Sequence, residues 1–384
     1  NSEGAWSATI VEGGDDFITL RSTVEGSGSD NAQQTGVKSI EGAGEHPIDF
    51  WIDFKGTIAE NSTPRCAIVR VRYHNYTCEH DIYVRQGYAP ITIDGNAESD
   101  KNPAWASYNV YCFDANNAPV YTKSPLEEGS LFRRGNRTAI LASNNDRPGF
   151  TFGLGPSGSF DVLELGATTP SQKTWSQLAP SADDVKSRFA SWSIAGDHER
   201  IATIEDFYTL ESTSIHSNIG KAYGVLYGDG ATETQKSVEV ALGYDHNEDP
   251  TNSKKGMRGC FVFNINNSHN IFFPIGKSGY GRRKGMTSNG EKVGTLRYAQ
   301  RTDYYNNDGT GNIQYVPLFY DLFERPGAIY QCRNRLESTN NEVKNSSAFD
   351  INYFTMGFEG FENGASNNNN GSDSDACFIR TVKY

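Results

Sequence analysis

The stretch "PRCAIVRVRYHNYTCEHDIYVRQG", residues 64–87, decides how the first part of the chain folds. Its first half alternates between two sets of side chains, and a short apolar run, Ile82–Val84, follows the polar pair His74–Asn75. One set is Ala67, Val69, Val71 and Tyr73, and the other is Ile68, Arg70 and Arg72. A period of two predicts a strand with one buried and one solvent-exposed face. The polar pair then predicts a turn, and the apolar run predicts a second strand.

The same pattern covers the residues before this stretch. In "HPIDFWIDFKG" (46–56), apolar side chains occupy every second position, at Ile48, Phe50, Ile52 and Phe54. Several short strands bounded by Gly, Pro and Asn are typical of a β-sandwich. We therefore predict an all-β sandwich over residues 1–92, with "GYAPITIDGN" (87–96) as a short link to the rest of the chain.

The chain after residue 95 has a different sequence pattern. Short aromatic strand candidates alternate with long polar segments, and two stretches have a helical pattern. The first helical pattern is "SADDVKSRFASW" (181–192). In the second, "ATIEDFYTLES" (202–212), the Thr203 side chain would cap the helix, and the Asp206 carboxylate would accept a hydrogen bond from the Thr203 N–H. Phe207 and Leu210 would then face inward. These patterns predict a second, α+β domain over residues 95–384.

Length, charge and cysteine usage exclude several classes of protein. A chain of 384 residues with a net charge of −12 predicts two or three domains and no general affinity for nucleic acid. No run approaches the roughly 20 apolar residues of a membrane helix. The first residues lack both Met and a signal sequence, which indicates a processed or trimmed chain. Six scattered cysteines without C-x-x-C exclude a zinc ribbon, and buried free thiols are the favoured interpretation over disulfides.

Motifs for catalysis and metal binding are weak. No G-x-S-x-G is present, and among 47 acidic residues no spacing singles out a catalytic pair, so we predict a protein that is not an enzyme. The acidic stretch "LGYDHNEDPTN" (242–252) and the run "NNNNGSDSD" (367–375) contain oxygen ligands suited to Ca²⁺. A solvated acidic turn explains the first better, and the second lacks the closing Glu of a calcium loop and is followed too early by Ala376 and Phe378. We therefore expect no cofactor and leave only a structural calcium ion open. The basic stretch "GKSGYGRRKG" (276–285) precedes no helix and is interpreted as a flexible turn.

The first quarter of the chain resembles a known class of module. The stretches that carry this resemblance are "WSATI" with Trp6, "IDFWIDF", and "RCAIVRVRYHN" followed by "IYVRQGY". They are similar to the Ig-like modules at the front of Bacteroidetes surface proteins, including the BACON type. This resemblance implies a spacer or assembly module.

The remainder resembles the C-type-lectin-like branch that includes formylglycine-generating-enzyme-like domains and the Fibrobacter succinogenes major paralogous domain. "HERIATIEDFYTL" (198–210) carries it, although Ala202 stands where the pattern has Pro. "GMRGCFVFN", "IFFPIGKSGYGRRKG", "SSAFDINYFTMGF" and "SDACFIRTVKY" carry the rest. The copper-binding cysteine pair of the enzymes is missing, since Cys332 and Cys377 stand far apart. The resemblance therefore implies a scaffold whose long loops tolerate changes of sequence, as in adhesins, pilus-tip proteins and the variable proteins of diversity-generating retroelements.

Aromatic, arginine and amide side chains near the carboxyl end predict a recognition surface. This mixture gives rigid contact area together with adaptable hydrogen bonding. Tyr330, in the same region, is a further aromatic residue that we assign to this recognition surface. The candidate ligand-binding residues are Tyr304, Tyr305, Gln331, Arg333, Arg335, Phe349, Asn352, Tyr353, Glu359, Phe361, Asn363, Asn368 and Asn369. The alternative is that Phe349, Ile351 and Tyr353 are ordinary core residues of a strand and that the asparagine run is a loose loop.

The final stretch, "ACFIRTVK" (376–383), has Ala376, Phe378 and Ile379 to bury and is expected to close a sheet. The asparagine run before it would then be a loop presented between strands. Together these features predict a secreted cell-surface adhesin, outer-membrane anchored or pilus-associated. Its partner would be an extracellular glycan or host protein, and other pilus subunits are further candidates. A polysaccharide-acting enzyme and a structural pilus or stalk subunit are the alternatives.

Overall fold

The computed structural model describes about half of the chain. The described residues are 3–22, 35–42, 50–96, 98–99, 101–125, 127–133, 136–141, 150–151, 155–156, 159–174, 176–178, 198–210, 218–227, 256–274, 281–283, 292–294, 327–331, 348–352, 356–357 and 376–384. They form a mainly β protein with one short helix. Within these ranges, no helix has the length and apolar character needed to cross a membrane.

The first seven strands make two antiparallel sheets that share one core. The strands are β1 (Trp6–Gly13), β2 (Ile18–Ser22), β3 (Thr35–Val37), β4 (Ser39–Gly42), β5 (Phe50–Phe54), β6 (Arg65–Tyr73) and β7 (Cys78–Gln86). One sheet has the order β4-β1-β6-β7 and the other β3-β2-β5. Trp6 of the first sheet stacks on Phe50 of the second, with ring centroids 6.4 Å apart. The predicted sandwich is therefore present.

The hairpin β6–β7 follows the alternation in its sequence. Ala67, Val69 and Val71 are buried in the core of the sandwich. On the opposite face, each arginine meets an acid directly across the ladder, Arg70 with Asp81 and Arg72 with Glu79. His74, Asn75 and Tyr76 all have positive φ and make the turn. The prediction of two strands joined at His74–Asn75 is confirmed.

Ile68 differs from the prediction, because it is buried although it lies on the face expected to be wet. Its partner across the ladder is Tyr83, whose ring lies 4.2 Å from that of Phe263. Arg85 of the same strand donates to the carbonyl oxygen of Asn270 at 2.8 Å. This part of the sandwich is therefore covered by a later segment of the chain, which sequence alternation within the hairpin does not encode.

The remaining elements form short sheets. The strands are β8 (Ala104–Trp105), β9 (Val110–Phe113), β10 (Pro119–Tyr121), β11 (Ser130–Arg133), β12 (Ala139–Leu141), β13 (Phe150–Thr151), β14 (Gly155–Pro156), β15 (Ser159–Leu163), β16 (Ser171–Thr174), β17 (Glu199–Ile201), β18 (Ile219–Tyr227), β19 (Gly256–Asn264), β20 (Asn270–Pro274), β21 (Gly281–Arg283), β22 (Lys292–Gly294), β23 (Gly327–Gln331), β24 (Ala348–Asn352), β25 (Met356–Gly357), β26 (Ala376–Cys377) and β27 (Thr381–Lys383), and the helix is α1 (Ile204–Tyr208). The larger sheets have the orders β16-β15-β12-β11-β26, β17-β27-β8, β18-β19-β20 and β23-β24-β25.

Helix α1 begins as the sequence predicts. The Thr203 hydroxyl accepts a hydrogen bond from the backbone N–H of Asp206 at 3.2 Å, and the Asp206 carboxylate accepts one from the Thr203 N–H at 2.7 Å. Phe207 and Leu210 are fully buried. The capping box is confirmed, whereas the helix predicted over residues 181–192 lies outside the described residues.

The two carboxyl-terminal strands each join a sheet formed by earlier parts of the chain. β26 pairs with β11, and β27 lies between β17 and β8. Phe378, Ile379 and Val382 are fully buried. The prediction that this stretch closes a sheet is confirmed.

Four of the six cysteines belong to residues whose side chains are described, and all four are free thiols. Cys66 and Cys260 are buried, and Cys78 and Cys112 are partly exposed. Burial raises the pKa of the Cys66 thiol, which keeps it protonated and unreactive at neutral pH. The interpretation as buried free thiols is confirmed for Cys66 and Cys260, whereas Cys78 and Cys112 are free thiols that are partly exposed.

Candidate ligand-binding site

The predicted binding residues fall partly on the hairpin β23–β24. In its register, Gln331 is opposite Ala348, Phe349 is opposite Tyr330, and Asn352 is opposite Gly327. The other predicted residues lie outside the described residues, namely Tyr304, Tyr305, Arg333, Arg335, Tyr353, Glu359, Phe361, Asn363, Asn368 and Asn369. The structure thus brings Gln331, Phe349 and Asn352 onto one hairpin and does not test the rest of the set.

Tyr330 is a core residue, which corrects its assignment to the recognition surface. Its side chain is fully buried, and its ring centroid lies 5.4 Å from that of Phe273 and 5.8 Å from that of Phe378. Its hydroxyl donates to the carbonyl oxygen of Pro274 at 3.3 Å and accepts from the Asn109 amide at 3.2 Å. A residue enclosed in this way cannot contact a ligand at the surface, but it anchors the hairpin that carries three predicted binding residues.

The anchor also connects the hairpin with the carboxyl-terminal stretch. Tyr330 forms a parallel bridge with Phe378, just after β26. Residues 332–347 join β23 to β24, and residues 358–375 join β25 to β26. Both segments, which hold most of the predicted binding residues, therefore begin and end at strands, and Tyr330 links β23 to β24 and to Phe378.

A buried arginine lies beneath this anchor. The Arg380 guanidinium donates to the carbonyl oxygens of Ala106 at 2.9 Å and of Phe272 at 3.0 Å. It also lies 4.7 Å from the ring centroid of Phe273. Burial lowers the pKa of Arg380, although arginine remains protonated in proteins. Arg380 ties three separate segments together under the hairpin.

A buried ion pair organises the start of α1. Arg200 is bonded through both terminal nitrogens to the Asp206 carboxylate, and both side chains are buried. The Arg200 guanidinium also lies 4.9 Å from the ring centroid of Tyr384. The capping pattern in the sequence identified Asp206, but nothing in the sequence signalled Arg200 as its partner.

Tyr121, Glu199 and Thr381 form a hydrogen-bonded group between β10, β17 and β27. The Tyr121 and Thr381 hydroxyls both donate to Glu199 Oε1, the second at 2.9 Å. Burial, and then the charge of Glu199, raise the pKa of Tyr121 well above its ordinary value. This group holds three strands together, and sequence spacing gave no sign of it because Tyr121 and Thr381 are 260 residues apart.

These buried tyrosines predict a loss of stability in alkali. Burial raises the pKa of Tyr121 and Tyr330, and burial with the Asp81 charge raises that of Tyr83 to about 12. A tyrosine with a raised folded-state pKa contributes stability that is complete below about pH 10 and is lost as the pH rises, because only the unfolded chain then ionises. We expect the free energy of unfolding to fall between about pH 10 and pH 12, by about 1.4 kcal/mol per pH unit for each tyrosine that stays protonated.

Urea unfolding followed by circular dichroism across this range checks the slope. Tyr121→Phe serves as the matched variant, and its slope is expected to be shallower than that of the wild type. A wild-type free energy of unfolding that stays constant up to pH 12 would contradict the prediction.

Metal-ligand geometry is absent from the described residues, which contain no group of three His, Cys, Asp or Glu side chains able to hold an ion. The two calcium candidates, 242–252 and 367–375, lie outside those residues. Of the basic stretch 276–285, only β21 is described, and it pairs with β22.

Comparisons of the chain with protein-family models, with curated proteins and with solved structures find no match.

Proposed function

We propose that this protein is a cell-surface adhesin that binds an extracellular glycan or host protein through segments presented by a rigid β scaffold. In this proposal the first seven strands are an Ig-like spacer or assembly module, and residues 95–384 are a C-type-lectin-like ligand-binding domain. The protein belongs at the outer membrane or on a pilus of a bacterium of the Bacteroidetes type. It acts by binding and not by catalysis.

The observation that carries the proposal is that segments 332–347 and 358–375 begin and end at strands of the scaffold, two of which meet at the buried Tyr330. Binding residues are commonly found on loops that a rigid scaffold positions. The support for the Ig-like assignment is coarser and consists of seven strands in two packed sheets.

The chemistry of these segments suits recognition. Arg333 and Arg335 supply forked donors, and Phe361 supplies flat contact area. Asn363 and the run 367–370 supply amides that donate to and accept from hydroxyls or peptide groups. Stacking of an aromatic ring on a sugar together with amide contacts to its hydroxyls would serve a glycan, and the same groups would serve a protein epitope.

Arrays of glycans and of host extracellular proteins, probed with the full chain, test the proposal. We expect at least one ligand to bind, and the triple variant Arg333→Ala, Arg335→Ala, Phe361→Ala to weaken its binding by at least about tenfold. Ile265→Ala, an exposed change elsewhere, is the control and is expected to bind like the wild type. Unchanged binding by the triple variant, or hydrolysis of a glycan without stable binding, would contradict the proposal.

The edge of one sheet favours a second candidate, a structural pilus or stalk subunit. β5 ends the order β3-β2-β5, and its outer edge has no strand partner among the described residues. Trp51 and Phe54 of this strand are 36% and 50% exposed. An open edge can accept a strand donated by another subunit. In this case, Trp51→Lys would prevent assembly into fibres and leave the array result unchanged.

A further inference from the structure

Three tyrosines and a glutamate form an exposed group near the end of the sandwich, which we call the tyrosine patch. Its members are Tyr88, Tyr108, Tyr111 and Glu127. Tyr88 is 65% exposed and Tyr111 is 36% exposed. The rings of Tyr88 and Tyr108 lie 5.4 Å apart at 38°, so the half-buried Tyr108 ring supports the exposed one.

The backbone that carries Tyr88 is held firmly. The Ser107 hydroxyl donates to the Tyr88 carbonyl oxygen at 2.7 Å. Arg85 in turn donates to the Ser107 hydroxyl at 2.7 Å and to the Ala89 carbonyl oxygen at 2.9 Å. Since these bonds connect residues before and after Tyr88, the ring is presented from a fixed position and binding would cost little backbone entropy.

The Glu127 side chain is held in place by its own segment of the chain. Its carboxylate accepts from the Lys123 N–H at 3.2 Å, and its own N–H donates to the Ser124 carbonyl oxygen at 3.1 Å. The segment is tied to the strand start by a bond of 3.1 Å from the Thr122 N–H to the Asn109 carbonyl oxygen. Burial is the main cause that raises the pKa of Tyr108 and Tyr111, and the negative charge of Glu127 makes a smaller contribution to both.

We propose that the tyrosine patch binds a neutral saccharide. A pyranose ring has a face of C–H groups and a rim of hydroxyls. The exposed face of Tyr88 matches the first, and the Glu127 carboxylate accepts hydrogen bonds from the second. The phenol groups of Tyr88 and Tyr111 add further donors and acceptors around the rim.

The charge of the patch selects among ligands. Glu127 repels carboxylated or sulfated sugars and nucleic acid, and the net charge of −12 acts in the same direction. Arg85 is the cation closest in contact to this region, and its guanidinium is engaged by the Ser107 hydroxyl and the carbonyl oxygens of Ala89 and Asn270. A neutral hexose or an N-acetylated hexosamine is therefore the class of sugar that fits.

Ligand-observed NMR with the full chain tests the site, using the methyl glycosides of glucose, galactose, mannose and N-acetylglucosamine as probes. We expect saturation transfer to at least one of them, with a dissociation constant of about 1 mM. Tyr88→Ala is expected to weaken binding at least about tenfold, and Glu127→Gln by about threefold, because an amide accepts hydroxyls less strongly than a carboxylate. Tyr88→Phe keeps the ring and is expected to retain most of the affinity.

Leu165→Ala, an exposed apolar change at a residue outside the patch, is the matched control and is expected to bind like the wild type. All these positions are exposed, so circular dichroism of the variants should be unchanged. No saturation transfer to any probe, binding that Tyr88→Ala leaves intact, or preference for N-acetylneuraminic acid would overturn the proposal. The patch contains none of residues 332–375, so its failure leaves the proposed adhesin function standing.

Discussion

An Arg380→Ala variant is expected to lose about 4 kcal/mol of its free energy of unfolding. The change removes hydrogen bonds from a charged donor to the carbonyl oxygens of Ala106 and Phe272 and leaves a cavity against the Phe273 ring. Hydrogen bonds to charged groups each contribute about 1.5–3 kcal/mol. Relief of the cost of burying the cation offsets part of this loss.

Urea unfolding at neutral pH measures the effect, read from the midpoint at a constant m value. Arg380→Lys is a useful companion, because an ammonium keeps the charge but lacks the fork that reaches two carbonyls at once, so it should recover less than half of the loss. Lys383→Ala, at an exposed position of β27, which follows Arg380, is the control and should cost under about 0.5 kcal/mol. A loss below about 1 kcal/mol for Arg380→Ala would mean that desolvation relief outweighs the lost bonds.

A Trp105→Ala variant is expected to lose about 4 kcal/mol as well, for a different reason. Trp105 is 1% exposed, and its ring centroid lies 5.0 Å from that of Phe207 and 5.9 Å from that of Phe273. Truncation removes a large apolar surface and leaves a cavity that the surrounding strands cannot fill. The Ile91 bridge through the Trp105 backbone should persist, so the loss reports on packing.

Trp51→Ala provides the same chemical change at a partly exposed position and is expected to cost under about 1.5 kcal/mol. Thermal unfolding by calorimetry and urea unfolding should agree on the order of the two variants. Equal losses for Trp105→Ala and Trp51→Ala would contradict the position of Trp105 in the core.

The elements that the sequence predicted best are those whose contacts are local. The hairpin β6–β7 depends on alternation within 22 residues, Arg65 to Gln86, and the capping box of α1 on the Thr203–Asp206 pair. Both are confirmed. Burial of Phe378 and Ile379 was also predictable, because a run of apolar residues must be covered.

The errors arise from contacts between distant segments. Alternation in β6 could not reveal that a later segment covers Ile68. An aromatic-rich region could not reveal that Tyr330 belongs to the core, because core strands and recognition surfaces use the same aromatic residues. The partners of Arg380 lie 274 and 108 residues away, and no local pattern marks them. Of the candidate site, the structure places Gln331, Phe349 and Asn352 on one hairpin. The rest of the site stays a prediction.

The central position of β27 has a consequence for biosynthesis. Its neighbour β8 is translated long before it, since Ala106 and Arg380 are separated by 274 residues. At ~5–20 residues per second, a ribosome needs roughly 14–55 s to make that length of chain. Until then Trp105 and the strands around it lack their sheet partner, so the nascent chain exposes apolar surface that the finished protein buries. A ribosome that stalls before residue 381 would leave this surface uncovered, however much of the protein it had made.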